Sequence, residues 1–148
     1  MMFPEFSEKS KVWVYKANRR LTESDIQVIS ATLNEFIPQW AAHGTQLYGG
    51  WTLIENWFVV LVVDEEKFAA SGCSIDSSVK VMKMIGTELK IDFFNRMKVL
   101  IEEDGELKEV HFADLNKYPN ALLFNPITTD LKTLRERWKI PVGQFSMA

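Results

Sequence analysis

The chain has 148 residues, of which 47% are hydrophobic and 25% charged, and its formal net charge is −3. Such usage predicts one globular domain over residues 1–148, and it excludes a disordered chain, a collagen-like repeat and a disulfide scaffold. The mild acidity leaves no basic field to attract a phosphate backbone, so no nucleic-acid partner is expected.

One cysteine, Cys73, cannot form an intramolecular disulfide, which fits a reducing interior. The start of the chain lacks the basic residues and apolar run of a secretory leader. The longest strongly apolar run, residues 57–63, falls far short of the ~20 residues that span a bilayer. The expectation is a cytoplasmic protein with no membrane partner.

Residues 1–10 show no periodicity and read as a mobile lead-in. Residues 11–16 are β-branched and aromatic, which predicts a strand. A helix should start at Thr22, with Asp25 three residues on as in a capping box and Leu21 with Ile26 placed as a hydrophobic staple. Its apolar face runs through Ile26, Ile29, Leu33, Phe36, Ile37 and Trp40. Pro38 should disturb the last turn, and Gly44 is a plausible stop.

Strands are expected over 46–54 and 57–64, joined at Glu55 and Asn56. The second is continuously apolar, as a strand covered on both faces would be. After a small-residue loop over 67–74 comes a second helix, with Ile75, Val79, Met82, Ile85 and Leu89 on one face and Gly86 weakening it by roughly 1 kcal/mol. Residues 95–103 and 106–112 should form a hairpin around Asp104 and Gly105. A helical turn before Pro119, a short strand at 121–124 and a helix capped by Thr128 or Thr129 and stopped by Pro141 complete the chain.

This order is α+β: a mostly antiparallel sheet with helices on one face. Its first six elements match the β-α-β-β-α-β pattern of ferredoxin-like folds, followed by a C-terminal helix.

Several strings occur together: Trp40, Ala41, Ala42, His43, Gly44; the apolar run ending in Val63, Asp64, Glu65; and Ala70, Ser71, Gly72, Cys73, Ser74, Ile75, Asp76. Further on come Phe93, Phe94, Asn95, Arg96, Met97, then Phe124 and Asn125 with Thr128, Thr129, Trp138 and Pro141. On these the chain resembles, over roughly residues 11–142, an uncharacterised family of small bacterial proteins often labelled "ABC transporter ATPase". That label does not suit this chain. An ATPase of that kind needs a G-x-x-x-x-G-K-[ST] loop to cradle phosphates, and the only Lys-Ser pair, Lys9 and Ser10, has no glycine before it. No ATP hydrolysis is expected.

The segment 71–78 is the most suggestive one. Entering a helix, it offers unpaired N–H groups and positive potential. Ser74 or Asp76 could simply cap the helix. Alternatively, Ser71, Gly72, Cys73 and Ser74, with Asp76 and Asp64 at the border, could hold a small anion or a protein partner. A third reading makes Cys73 a nucleophile or redox centre with His43 as its base. Against that, Cys73 has no basic residue within four positions, and the expectation is a buried, structural thiol. His43 would cap a helix C-terminus, and His111 would lie at the surface. Asp64, Glu65 and Glu66 form a carboxylate run of the solvated kind. No metal and no cofactor are expected, because no zinc spacing is present. The aromatics Trp13, Tyr15, Trp51, Trp57 and Phe58 lie on strands. If helices cover one face alone, these could form an exposed interface, which suggests a homodimer. The leading reading is a non-catalytic small-ligand- or partner-binding domain. The alternatives are a cysteine-dependent enzyme and a structural or interaction protein.

Overall fold

The structure is a computed structural model and describes residues 2–66 and 69–145. In chain order the elements are β1 (Lys11–Lys16), α1 (Glu23–Phe36), β2 (Ala41–Ala42), β3 (Thr45–Gln46), β4 (Gly49–Ile54), β5 (Phe58–Val63) and α2 (Gly72–Leu89). After these come β6 (Lys98–Glu103), β7 (Glu106–His111), β8 (Leu122–Phe124), α3 (Leu131–Glu136) and β9 (Lys139–Pro141). The fold is α+β with antiparallel strand pairing.

Local chemistry sets most boundaries. Thr22 Oγ1 accepts from the Asp25 N–H at 3.2 Å, and Asp25 Oδ2 accepts from the Thr22 N–H at 2.8 Å, so the capping box starts α1 as its spacing predicts. Pro38 sits in a single 3-10 turn, Ile37–Gln39, where the α-helix has already ended. The β4–β5 connection closes with Glu55 and Asn56 both at positive φ, 58° and 56°. The β6–β7 hairpin likewise turns on Asp104 (φ 53°) and Gly105 (φ 80°), the backbone that two-residue hairpin loops require. His43 (φ 51°) and Gly44 (φ 79°) turn the small β2–β3 ribbon. The strand expected from residue 46 therefore starts later, at Gly49.

Other boundaries differ because a side chain or carbonyl has prior work. The third helix is capped by Asp130, whose Oδ1 accepts from the Thr133 N–H at 2.8 Å, and not by Thr128 or Thr129. The Thr128 hydroxyl donates to Asn125 O, and the Thr129 carbonyl accepts from Val12 N–H. That helix ends at Glu136, before Pro141, which belongs to β9.

The strands divide between two main sheets. The first has the order β1-β5-β4, with β5 central and every one of its six residues buried. The second has the order β7-β6-β8-β9. The first sheet keeps the split β-α-β order of a ferredoxin-like fold, in which a strand entering after α2 would lie beside β1. That strand is β6, and it pairs instead with β7 and β8, so the expected single ferredoxin-like sheet does not form.

Helices on one face describe half of the arrangement. Tyr15, Val59, Leu61 and Val63 pack with Ile29 and Leu33 of α1 and with Met82 and Ile85 of α2. The opposite face, through Val12, Val60 and Val62, packs with Leu100, Phe124, Leu131, Leu134 and Trp138. Both faces are thus covered, and the exposed aromatic face expected from the sequence is absent among the described residues: Trp13 and Tyr15 lie under the helices, while Phe58 packs against Phe124 and Trp138 at ring-centroid distances of 5.3 and 4.6 Å. A third cluster, including Val99, Ile101, Leu115 and Leu123, backs the second sheet.

The segment expected as a mobile lead-in is instead tied down. Phe3 and Phe6 pack against the second cluster, Arg135 Nε donates to Met2 O at 2.8 Å, and the Arg135 guanidinium also reaches Phe3 O. Backbone bonds from Lys132 to Glu8 and from Leu131 to Ser10 complete the attachment.

Candidate functional site

The segment 71–78 spends its polar groups on its own helix start. Ser71 is the N-cap of α2, one turn earlier than the expected Ser74 or Asp76. Its Oγ accepts from the Ser74 N–H at 3.1 Å, and Ser74 Oγ accepts from the Ser71 N–H at 2.7 Å. Ser74 is fully buried, and its carbonyl accepts from the Trp40 indole N–H at 2.8 Å. Ser78 Oγ donates to Ile75 O at 2.7 Å and lies 3.3 Å from the Tyr15 hydroxyl. The helix accordingly turns Ser74, Ser78, Val81, Met82 and Ile85 inward, and leaves Ile75, Val79 and Leu89 half-buried. Serines take core positions because each hydroxyl is satisfied within one turn.

The remaining residues expected at this site do not converge. Gly72, Cys73 and Asp76 are exposed. Cys73 is therefore not the buried structural thiol expected from the sequence; it occupies the second helical position and faces outward. His43 is exposed on the β2–β3 turn rather than at a helix C-terminus. No hydrogen bond joins it to Cys73. Asp64 is buried, but its carboxylate accepts from Glu66 N–H at 3.1 Å and from Ser7 N–H at 3.4 Å, closing the end of β5. Glu65 accepts from Ala70 N–H and pairs with Lys11, so the carboxylate run is divided among separate structural tasks. Among the described residues, no cluster of three or more His, Cys, Asp or Glu could hold a metal. His111 is half-buried and caps the 3-10 turn Phe112–Lys117 through Nδ1, which accepts from Ala113 N–H.

A different site lies where the two main sheets part. Because β6 leaves the side of β1, a groove of about 500 Å3 opens between them. One wall is β1 from Val12 to Lys16. The other comprises Lys98, Val99 and Leu100 of β6 with the loop residues Phe93, Phe94, Asn95 and Arg96, and residues 124–129 close one end. From α2 it takes Val79, and none of residues 71–78 lines it.

Its chemistry is one-sided. No Asp or Glu lines the groove. Lys16 pairs with Glu109, and Lys98 reaches the same carboxylate at 3.9 Å, so two lysines share one carboxylate at this end. Arg96 is exposed and has no ion-pair partner among the described residues. Asn95 and Asn125 use their side-chain oxygens locally, accepting from Met97 N–H and Ile127 N–H, and their amide nitrogens have no partner among the described residues. The walls are apolar and aromatic: Phe94 meets Tyr15 edge-on at 5.6 Å. Burial raises the affinity of the Tyr15 phenol for its proton, against the opposing effect of the Ser78 hydrogen bond. Of the five large apolar side chains left exposed among the described residues, Phe94 and Ile127 line this groove and Met97 follows Arg96 in the chain.

No protein-family model, curated protein or solved structure matches the chain. No helix among the described residues is long and apolar enough to cross a membrane.

Besides β1 and β6, the groove draws on two stretches that include strings noted in the sequence, 93–96 and 124–129. Neither carries a chemical motif by itself. What identifies them is their meeting across the gap beside β1, a contact set by tertiary packing.

Proposed function

We propose that this protein is a non-catalytic binding domain whose site is the groove between the two main sheets, and that it takes ligands bearing a carboxylate or similar acceptor group. The observation that carries this reading is a cavity of ligand size, about 500 Å3, lined by apolar walls, amide donors and three cations, of which Lys16 and Lys98 share the one carboxylate of Glu109 and Arg96 has no ion-pair partner among the described residues, in a chain of net charge −3. The junction at residues 71–78 is the weaker candidate, because its serine hydroxyls are already bonded within the fold. An enzymatic role for Cys73 lacks a base joined to the thiol.

The test is a titration of the 15N-labelled protein with small mono- and dicarboxylates of increasing apolar size. Backbone and side-chain amide shifts should gather on Asn95, Arg96, Asn125 and Thr128, and Arg96→Ala should weaken them. Shifts confined to residues 71–78, or no shifts at millimolar ligand, would overturn the reading.

A further inference from the structure

The groove has an unfinished β-ladder as one wall. In a strand, alternate residues direct both backbone groups to the same edge. Val12 N–H donates away from β5, to Thr129 O at 3.0 Å, so Val12, Val14 and Lys16 all address the outer edge of β1. Residues 129–131 begin an antiparallel pairing there: Leu131 N–H donates to Ser10 O at 2.9 Å, and Lys11 bridges Asp130. The chain then turns away into α3. Beyond that point, the carbonyl of Val12, both backbone groups of Val14 and the N–H of Lys16 have no partner among the described residues, although Val14 is half-buried. Unpaired backbone groups in a recessed, largely apolar setting are costly unless something pairs with them. The open stretch is about 13 Å long at 3.3 Å per residue.

We propose that an extended acidic peptide segment of a partner protein adds to this edge as a further strand, filling the place that β6 leaves empty beside β1. This deepens the binding function proposed above and rests on it. Main-chain bonds to Val14 and Lys16 supply affinity, and alternate side chains enter the two apolar walls. The charge at the Lys16 end selects an acidic residue. Arg96 is unpaired among the described residues, and Lys16 with Lys98 shares a single carboxylate, so the three cations keep an excess of two positive charges that acidic side chains of the peptide offset. Lys98, Val99 and Leu100 stand across the gap, so a volume of about 500 Å3 admits one extended segment and not the broad sheet edge of a second copy.

The probe is a set of blocked hexapeptides in which Val or Ile alternates with Glu, Asp or Ser, together with versions N-methylated at alternate positions. The expected result is binding by acidic members, with the Val14 and Lys16 amides becoming protected from hydrogen exchange. N-methylation on the pairing edge should abolish binding. Arg96→Glu should weaken binding about tenfold, and a peptide carrying Lys in place of Glu should regain affinity for that variant. Equal binding of both methylated edges, or no protection of Val14 in any complex, would overturn strand addition. If the small carboxylates bind the groove while no peptide protects Val14, strand addition fails and the carboxylate-binding function stands. If neither binds, both fail. Protection of Val14 in the protein alone, with a dimer in sedimentation, would assign the edge to a second copy and overturn the proposal.

Discussion

The clearest electrostatic contact in the molecule involves two residues near the start of α1. Asp25 is buried, and Arg19 grips its carboxylate with both nitrogens, at 2.5 and 3.1 Å, while also donating to Leu89 O at the end of α2. The Arg19 hydrogen bonds hold the Asp25 carboxyl well below its ordinary value, and bonds from Thr22 add to that. A carboxyl titrating lower in the folded state contributes stability that is complete well above the unfolded value of 3.8 and is lost progressively as pH falls from there through the lower folded value. Asp25→Asn should therefore cost about 1.5–3 kcal/mol near neutral pH. It should also narrow the gap between urea midpoints measured at pH 7 and pH 3. Cys73 gives a second expectation at this scale. The thiol is exposed, so it should alkylate in the native protein nearly as fast as in the denatured chain at the same pH. With no hydrogen bond to His43, His43→Ala should leave the rate unchanged, and a large slowing would revive the cysteine-base pairing.

Among the elements, α2 shows how tertiary contact reverses a local preference. Helix propensity alone makes Gly86→Ala favourable by about 1 kcal/mol. Here a Cβ at position 86 would lie 2.6 Å from the Ile91 carbonyl oxygen, because the chain folds back after Lys90 (φ 57°) and Ile91 N–H donates to Gly86 O at 2.9 Å. Backbone cannot yield as a flexible side chain can. Gly86→Ala should thus destabilise the protein by about 1–3 kcal/mol, read from a denaturant midpoint. An unchanged or raised midpoint would mean that the close approach relaxes easily. The capping of α2 carries a related lesson. Both Ser71 and Ser74 are compatible with a helix start; burial of Ser74 beneath Trp40 makes Ser71 the cap.

For the whole molecule, the start of the chain is part of the packing of the second core. Arg135 joins α3 to the carbonyls of Met2, Phe3 and Phe6, and Phe6 stacks near Tyr48 at 4.9 Å. Arg135→Ala should release this segment before the sheets lose their order. Limited proteolysis should then cut within residues 3–8, while exchange protection in β5 persists. Equal loss of protection in both regions would show that the segment unfolds together with the sheets.

The sequence by itself determined what depends on neighbours a few residues apart. The Thr22 capping box, the turns at Glu55 with Asn56 and at Asp104 with Gly105, and the buried character of β5 all follow from local spacing or from an unbroken apolar run. Tertiary structure alone decided which sheet β6 joins, what covers the aromatic strands, and where an open edge remains. Those outcomes rest on partners distant in the chain, such as Lys16 with Glu109, which are 93 positions apart, and Val12 with Thr129. The candidate site belongs to this second kind. Arg96, Asn125 and the backbone of Val14 have no shared pattern along the chain, and they line one groove because β6 packs across the face of the first sheet and leaves the edge of β1 open beyond its pairing with residues 129–131.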